Sequence, residues 1–149
     1  MLKVGDKVPD FQGVDQDGKS ISYQNYAGKK LVVFFYPKAS TPGCTAEACD
    51  LRDNENALKA QGYEIVGVSA DSVERQKKFA VKYELPFPLI ADESREVIEA
   101  FGVWGPKKFM GKEYDGIHRT TFIIDENGTI SDVIEKVKTK EHAKQILEK

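Results

Sequence analysis

The chain has 149 residues, of which 40% are hydrophobic and 31% charged, with a net charge of -2 and two cysteines. That length suits a single domain with a sizeable core over residues 1–149. The near-neutral balance gives no electrostatic reason to expect a nucleic-acid or membrane partner, and no segment is long and apolar enough to span a bilayer.

Met1-Leu2-Lys3-Val4-Gly5-Asp6 lacks the apolar run of an export signal, so the expected setting is a reducing cytoplasm. There, a close cysteine pair points to catalysis or metal binding rather than to a permanent cross-link. Residues 11–23 carry Asp17-Gly18 between two strand-like pieces, which predicts an N-terminal β-hairpin. Leu31, Val32, Val33, Phe34, Phe35 and Tyr36 are apolar on both alternating faces, as in a central strand covered on both sides, and Pro37 ends the run. A polar turn leads into a helix over 45–61, stopped by Gly62, with Ala48, Leu51, Glu55 and Leu58 at helical spacing.

Residues 63–70 read as the next strand, around Ile65, Val66 and Val68. Asp71-Ser72-Val73-Glu74 resembles a capping box, opening a helix to about residue 83 with a weak stripe of Val73, Gln76, Lys77 and Ala80. After Pro86 and Pro88 come a short strand at Leu89-Ile90-Ala91, a helix capped by Ser94 and ending at Phe101, and a glycine- and lysine-bearing loop over 105–116. Residues 117–125 and 129–137 predict a hairpin around Glu126-Asn127-Gly128. Thr139 caps a last helix with Ala143, Ile146 and Leu147 inward. The succession implies parallel crossovers first and an antiparallel edge afterwards: an α/β fold with a mixed sheet flanked by helices.

Both cysteines follow the central strand. Cys44 stands at a helix start behind the turn Thr41-Pro42-Gly43. A nucleophilic cysteine reacts as its thiolate, and an ordinary thiol has a pKa of about 8.5. Favouring the anion by roughly two pH units takes about 2.7 kcal/mol. A helix N-terminus supplies about 0.3–1 kcal/mol, or about 2 in good geometry. A cation and hydrogen bonds to sulfur are therefore needed as well. Thr41 offers a hydroxyl, and Gly43 and Cys44 offer N–H groups. For the cation, Arg52, Arg75, Arg95 and Arg119 all remain candidates; Arg119 lies near the start of a strand beside a loop, where active-site side chains often project.

Five positions along a helix turn through about 500° and separate the Cα atoms by about 8.6 Å. A disulfide rarely tolerates more than about 7 Å. Cys49 is thus either a core position or a resolving thiol that reaches Cys44 only when the first helical turns unwind. Its spacing does not match a thioredoxin-type dithiol, and His118 and His142 are too far apart for a zinc finger.

The segment Pro37-Lys38-Ala39-Ser40-Thr41-Pro42-Gly43-Cys44-Thr45-Ala46-Glu47-Ala48-Cys49 closely resembles the active-site segment of peroxiredoxins, specifically the bacterioferritin comigratory protein or peroxiredoxin Q subfamily. The resemblance continues through Leu51-Arg52-Asp53, Phe101-Gly102-Val103-Trp104, Gly111-Lys112 and residues 116–125. It implies a thioredoxin-like fold and thiol-dependent reduction of hydrogen peroxide and organic hydroperoxides. It marks Cys44 as the peroxidatic cysteine and Cys49 as the resolving one, joined in an intramolecular disulfide during turnover. Pro37 would shield the pocket, Thr41 would hydrogen-bond the peroxide, and Arg119 would be the cation. Thioredoxin or a similar dithiol would be the reductant, with no metal, haem or flavin, in a monomer or weak dimer. Ala39 departs from the polar or acidic residue common in relatives.

Two alternatives stand beside this one: dithiol exchange on protein disulfides, and peroxide sensing. Lys107, Lys108 and Lys112, with Trp104 and Phe109, read as a solvated loop with an anchoring aromatic rather than a nucleic-acid patch. His118 reads as structural, and Asp125 as a turn cap.

Overall fold

The computed structural model describes residues 1–149. The N-terminal hairpin is present: β1 (Gln12–Val14) pairs antiparallel with β2 (Ser20–Ser22). Asp15 Oδ1 closes its turn by accepting from the N–H groups of Asp17 and Lys19. β3 (Lys30–Phe35) follows, then α1 (Pro42–Asp53), α2 (Glu55–Ala60), β4 (Tyr63–Ser69), α3 (Val73–Lys82), β5 (Leu89–Ala91) and α4 (Glu96–Phe101). The C-terminal part comprises β6 (Trp104–Phe109), β7 (Lys112–Ile117), β8 (Thr120–Ile124), β9 (Ile130–Ile134) and α5 (His142–Leu147). The central sheet runs β5-β4-β3-β8-β9. β3, β4 and β5 are parallel, while β8 and β9 complete it antiparallel, so the sheet is mixed as expected.

β3 sits at the middle of this sheet because both of its faces are apolar. Val32 and Phe34, followed by Tyr36, enter one core with Ala48 and Leu51 of α1, Phe79 of α3, and Ala143 and Ile146 of α5. Leu31, Val33 and Phe35 enter the other, with Phe11, Ile21, and Val97, Ile98 and Phe101 of α4. Full burial of each such side chain is worth about 1.5–3 kcal/mol, which fixes the strand's register and the point where it releases the chain at Pro37.

Several expected boundaries shift for identifiable reasons. The single helix over 45–61 is two, broken at Asn54, whose side-chain amide donates to Asp50 O. It also starts earlier, because Pro42 occupies the first helical turn, where its missing N–H costs nothing. Asp71 does not cap α3. Ser72 does, accepting from Arg75 N–H, while Asp71 turns inward. The buried face of α3 is Gln76, Phe79 and Ala80, with Lys77 outside in an ion pair with Asp17.

Ser94 is not the cap of α4 either. Arg95 occupies the cap position at φ +65°, and Asp92 accepts from Val97 and Ile98 N–H. The loop over 105–116 is a hairpin of β6 and β7, turning at Met110 and Gly111, both at positive φ as a tight two-residue turn requires. Ile117 belongs to β7, so the strand expected over 117–125 is shortened to β8. Its partner is shortened to β9, and Glu141 rather than Thr139 precedes α5. Asp125 caps its turn as expected, accepting from Asn127 and Thr129 N–H. No helix is long and apolar enough to cross a membrane.

Candidate active site

Buried contacts hold the loop between β3 and α1 in place. Tyr36 is fully buried, and its hydroxyl donates to Gln76 Oε1 at 2.6 Å. Ala39 N–H donates to Asp71 Oδ2 at 2.7 Å, and Ser69 Oγ donates to the same oxygen. Half-buried Pro37 begins the loop, and Ser40 takes φ +65° to turn it toward the helix. Thr41 precedes α1 without capping it. Its hydroxyl donates to Lys38 O at 2.7 Å, which leaves its oxygen free to accept. The first satisfied helix donor is Thr45 N–H, on Thr41 O. The Gly43 and Cys44 N–H groups before it have no acceptor in the chain, so the positive end of the helix is open at Cys44.

Sheet register supplies the cation. Phe35 pairs with Thr120, so the last residue before β8, Arg119, arrives beside the end of β3 where the cysteine loop departs. Arg119 Nη2 lies 3.3 Å from Cys44 Sγ, and Nη1 donates to Glu47 Oε1 at 2.6 Å. Burial works to lower the Arg119 pKa, but the Cys44 sulfur and Glu47 carboxylate outweigh it and raise it, so the guanidinium stays charged. The other three arginines are engaged elsewhere. Arg52 donates to Tyr83 O, Arg75 stands 3.8 Å from Asp71, and Arg95 lies over the Trp104 ring. Cys44 is 1% exposed and Cys49 half-buried, both as free thiols on the same helix.

Gly43 makes room for this arrangement. A Cβ there would stand 3.1 Å from Arg119 Nη2, in a guanidinium already held at Nη2 by Cys44 and at Nη1 by Glu47. Gly43→Ala is therefore expected to push the guanidinium off the sulfur and lower the rate of Cys44 alkylation by iodoacetamide by about tenfold. A thiol-labelling time course checks it.

Sequence reasoning missed two residues of the site, Glu47 and His142. Glu47 lies three positions after Cys44, one turn along the same helix face, and that spacing alone could have flagged it. It is fully buried, and burial pushes its carboxyl up to about 7 in spite of Arg119. His142, on α5, is also fully buried, with Nε2 3.5 Å from Glu47 Oε2. Nothing in the spacing of a chain segment so distant from the cysteines points to it. Lys107, read as part of a solvated loop, instead donates to Ile117 O, and Trp104 packs against a core.

The model of the AhpC/TSA family matches residues 4–133. Peroxiredoxin Bcp of Escherichia coli strain K12 is 49% identical over 146 residues, covering 98% of this chain and 94% of that protein. Peroxiredoxin Bcp of Bacillus subtilis is 44% identical over 147 residues, covering 99% and 94%. Among solved structures, the Xanthomonas campestris bacterioferritin comigratory protein, studied for alkyl peroxide reduction, superposes with a TM-score of 0.89 at 34% identity, covering 99% of this chain and 96% of that one.

Proposed function

The chain belongs to the AhpC/TSA family as a peroxiredoxin of the bacterioferritin comigratory protein type, a thiol peroxidase, and on that premise we propose that the chemistry runs through Cys44, Arg119, Thr41 and Cys49. The observation that carries this reading is the 3.3 Å contact of Arg119 Nη2 with Cys44 Sγ at an open helix N-terminus. Charge and dipole both favour sulfur as an anion there.

The thiolate attacks one hydroperoxide oxygen. An S–O bond forms as the O–O bond breaks, and the departing alkoxide or hydroxide takes up a proton to leave as alcohol or water. Negative charge spreads over both oxygens in that step. Arg119 and the unpaired Gly43 and Cys44 N–H groups are donors already in place to stabilise it. The Thr41 oxygen, its own hydrogen committed to Lys38 O, accepts the proton-bearing end of the substrate and orients it. Pro37 closes the loop side of the pocket. Cys44 is left as a sulfenic acid; the Cys49 sulfur attacks it, an S–S bond forms and water leaves. A dithiol then returns two electrons and two protons.

We assign that last role to thioredoxin or a similar dithiol protein, the setting to the cytoplasm, and turnover to a single-domain monomer, because both sulfurs lie on one helix of one chain. The test is stopped-flow consumption of hydrogen peroxide and an alkyl hydroperoxide with thioredoxin, thioredoxin reductase and NADPH, on the native protein and on Cys44→Ser. Sustained turnover by the native protein and none by Cys44→Ser is expected. Insulin reduction without peroxide loss would favour dithiol exchange, and sub-stoichiometric peroxide loss without turnover would favour sensing.

A further inference from the structure

Behind Arg119, Glu47, Thr121 and His142 are shut off from solvent. Gln145 fixes the state of the imidazole. Its Oε1 accepts from Lys138 N–H at 2.9 Å and its amide nitrogen donates to Lys136 O at 3.0 Å, so the oxygen is the atom presented to His142 Nδ1 at 2.9 Å. Nδ1 therefore carries a hydrogen. The other nitrogen, Nε2, lies 2.7 Å from Thr121 Oγ1 and 3.5 Å from Glu47 Oε2. Glu47 Oε2 has no hydrogen-bond donor at all. With Glu47 ionised and His142 neutral, a buried anionic oxygen would lie against a nitrogen lone pair. Leaving a buried acceptor unsatisfied costs about 1–3 kcal/mol, and more for a charged one. One added proton removes the conflict. On Oε2 it points at Nε2; on Nε2 it serves Thr121 and Glu47 together.

We propose that Glu47 and His142 hold one exchangeable proton between Oε2 and Nε2, and that His142 is a positioning residue for peroxide attack, acting through Glu47 on Arg119. With the proton in place, Glu47 Oε1 still accepts from Arg119 Nη1, so the guanidinium stays where it is, but its charge is directed to Cys44. When the proton leaves, a full carboxylate competes with sulfur for the same guanidinium and repels the anion forming on the substrate. The inference rests on the assignment of Cys44 and Arg119 made above.

Burial pushes Glu47 up to about 7, against the pull of Arg119, and pushes His142 down to about 4; both directions put the proton on Glu47. The charged groups around the pair are Cys44 and Asp50 on α1, Arg119 before β8, Lys107 on β6 and Glu141 just before α5. Asp50 is occupied in accepting from Ala143 N–H at 2.8 Å. A carboxyl raised in this way holds its proton below about pH 7 and gives it up as the pH rises through that value.

Glu47→Gln mimics the protonated form: its oxygen can accept from Arg119 and its amide can donate to His142. The test is the second-order rate of the first peroxide turnover, taken as the ratio of native to Glu47→Gln protein so that any pH dependence common to both proteins is removed. Between about pH 6 and about pH 8.5 that ratio is expected to fall by about threefold or more. In His142→Leu the acceptor for the proton is gone, and the fall is expected at lower pH than in the native protein. A second readout does not depend on turnover. At about pH 6 the infrared spectrum of Cys44→Ser is expected to show a protonated-acid carbonyl band that Cys44→Ser/Glu47→Gln lacks. A ratio flat with pH and no such band overturn the proposal. Loss of peroxide consumption only, with the band present, points instead at the assignment of Arg119 and Cys44.

Discussion

Arg119→Met is expected to slow the first peroxide turnover by roughly 10²–10³-fold, the largest loss short of removing Cys44. The guanidinium is the cation in contact with the sulfur, at 3.3 Å, and it is oriented before substrate arrives by its 2.6 Å bond to Glu47. A preorganised donor of this kind is worth about 2.7–4 kcal/mol in the transition state. The helix terminus remains in the variant, but its about 0.3–1 kcal/mol, rising to about 2 in good geometry, does not replace the charge. Arg119→Lys is expected to recover only part of the rate, because a single ammonium cannot span both the sulfur and Oε1 in a fork. The fold should survive both changes. Glu47, already pushed up to about 7 by burial, takes a proton when its cation is removed rather than remaining as a bare buried anion. Stopped-flow rates with a thermal melt as control check this. A loss under about tenfold in a folded variant would show that the open helix end activates the sulfur without Arg119.

The sequence and the structure agree most where the physics is local. Six apolar residues ended by Pro37 announced a strand buried on both faces, and the two cores divide Val32 and Phe34 from Leu31 and Val33 as strand alternation requires. The Thr41-Pro42-Gly43 stretch announced a helix start next to Cys44, though the helix takes in Pro42 and Gly43 and so begins before the expected residue 45. The arginine was a different matter. Four candidates stood open on local chemistry, and the resemblance alone singled out Arg119; the pairing of Phe35 with Thr120 is the long-range fact that puts it beside the sulfur. The hairpin of β6 and β7 was read as a loop because only one of its two turn residues is a glycine, Met110 taking positive φ without the usual signal. His142 was illegible for the reason that Arg119 was ambiguous. Docking of α5 on α1, through Ala143 N–H to Asp50, is a property of the assembled layers and leaves no periodicity in the chain.

Cys49→Ser is expected to abolish thioredoxin-driven turnover while leaving consumption of the first equivalent of peroxide intact. On an unbroken helix the two Cα atoms are about 8.6 Å apart, so the disulfide cannot form until α1 opens from its N-terminus. That end is built to open. It begins with Pro42 and Gly43, has no side-chain cap, and its first bond is the single one from Thr45 N–H to Thr41 O. Beyond Cys49 the helix is anchored by Asp50 to α5 and by Arg52 to Tyr83 O, which gives the unwinding a stopping point. Glu47 lies inside the segment that opens. Lifting its carboxyl from 4.5 to about 7 makes the folded helix less favourable by about 3 kcal/mol above neutral pH, and solvent exposure recovers that energy. The cost of exposing Cys44 and Ala48, both buried in the folded helix, is set against it, so the opening is a local fraying of the helix end rather than global unfolding. In Cys49→Ser the helix still opens but no thiol meets the sulfenic acid, so excess peroxide carries Cys44 on to the sulfinic acid, visible as two added oxygens in the intact mass. Turnover of Cys49→Ser at the native rate would mean that the reductant attacks the sulfenic acid directly and that Cys49 is a core position after all.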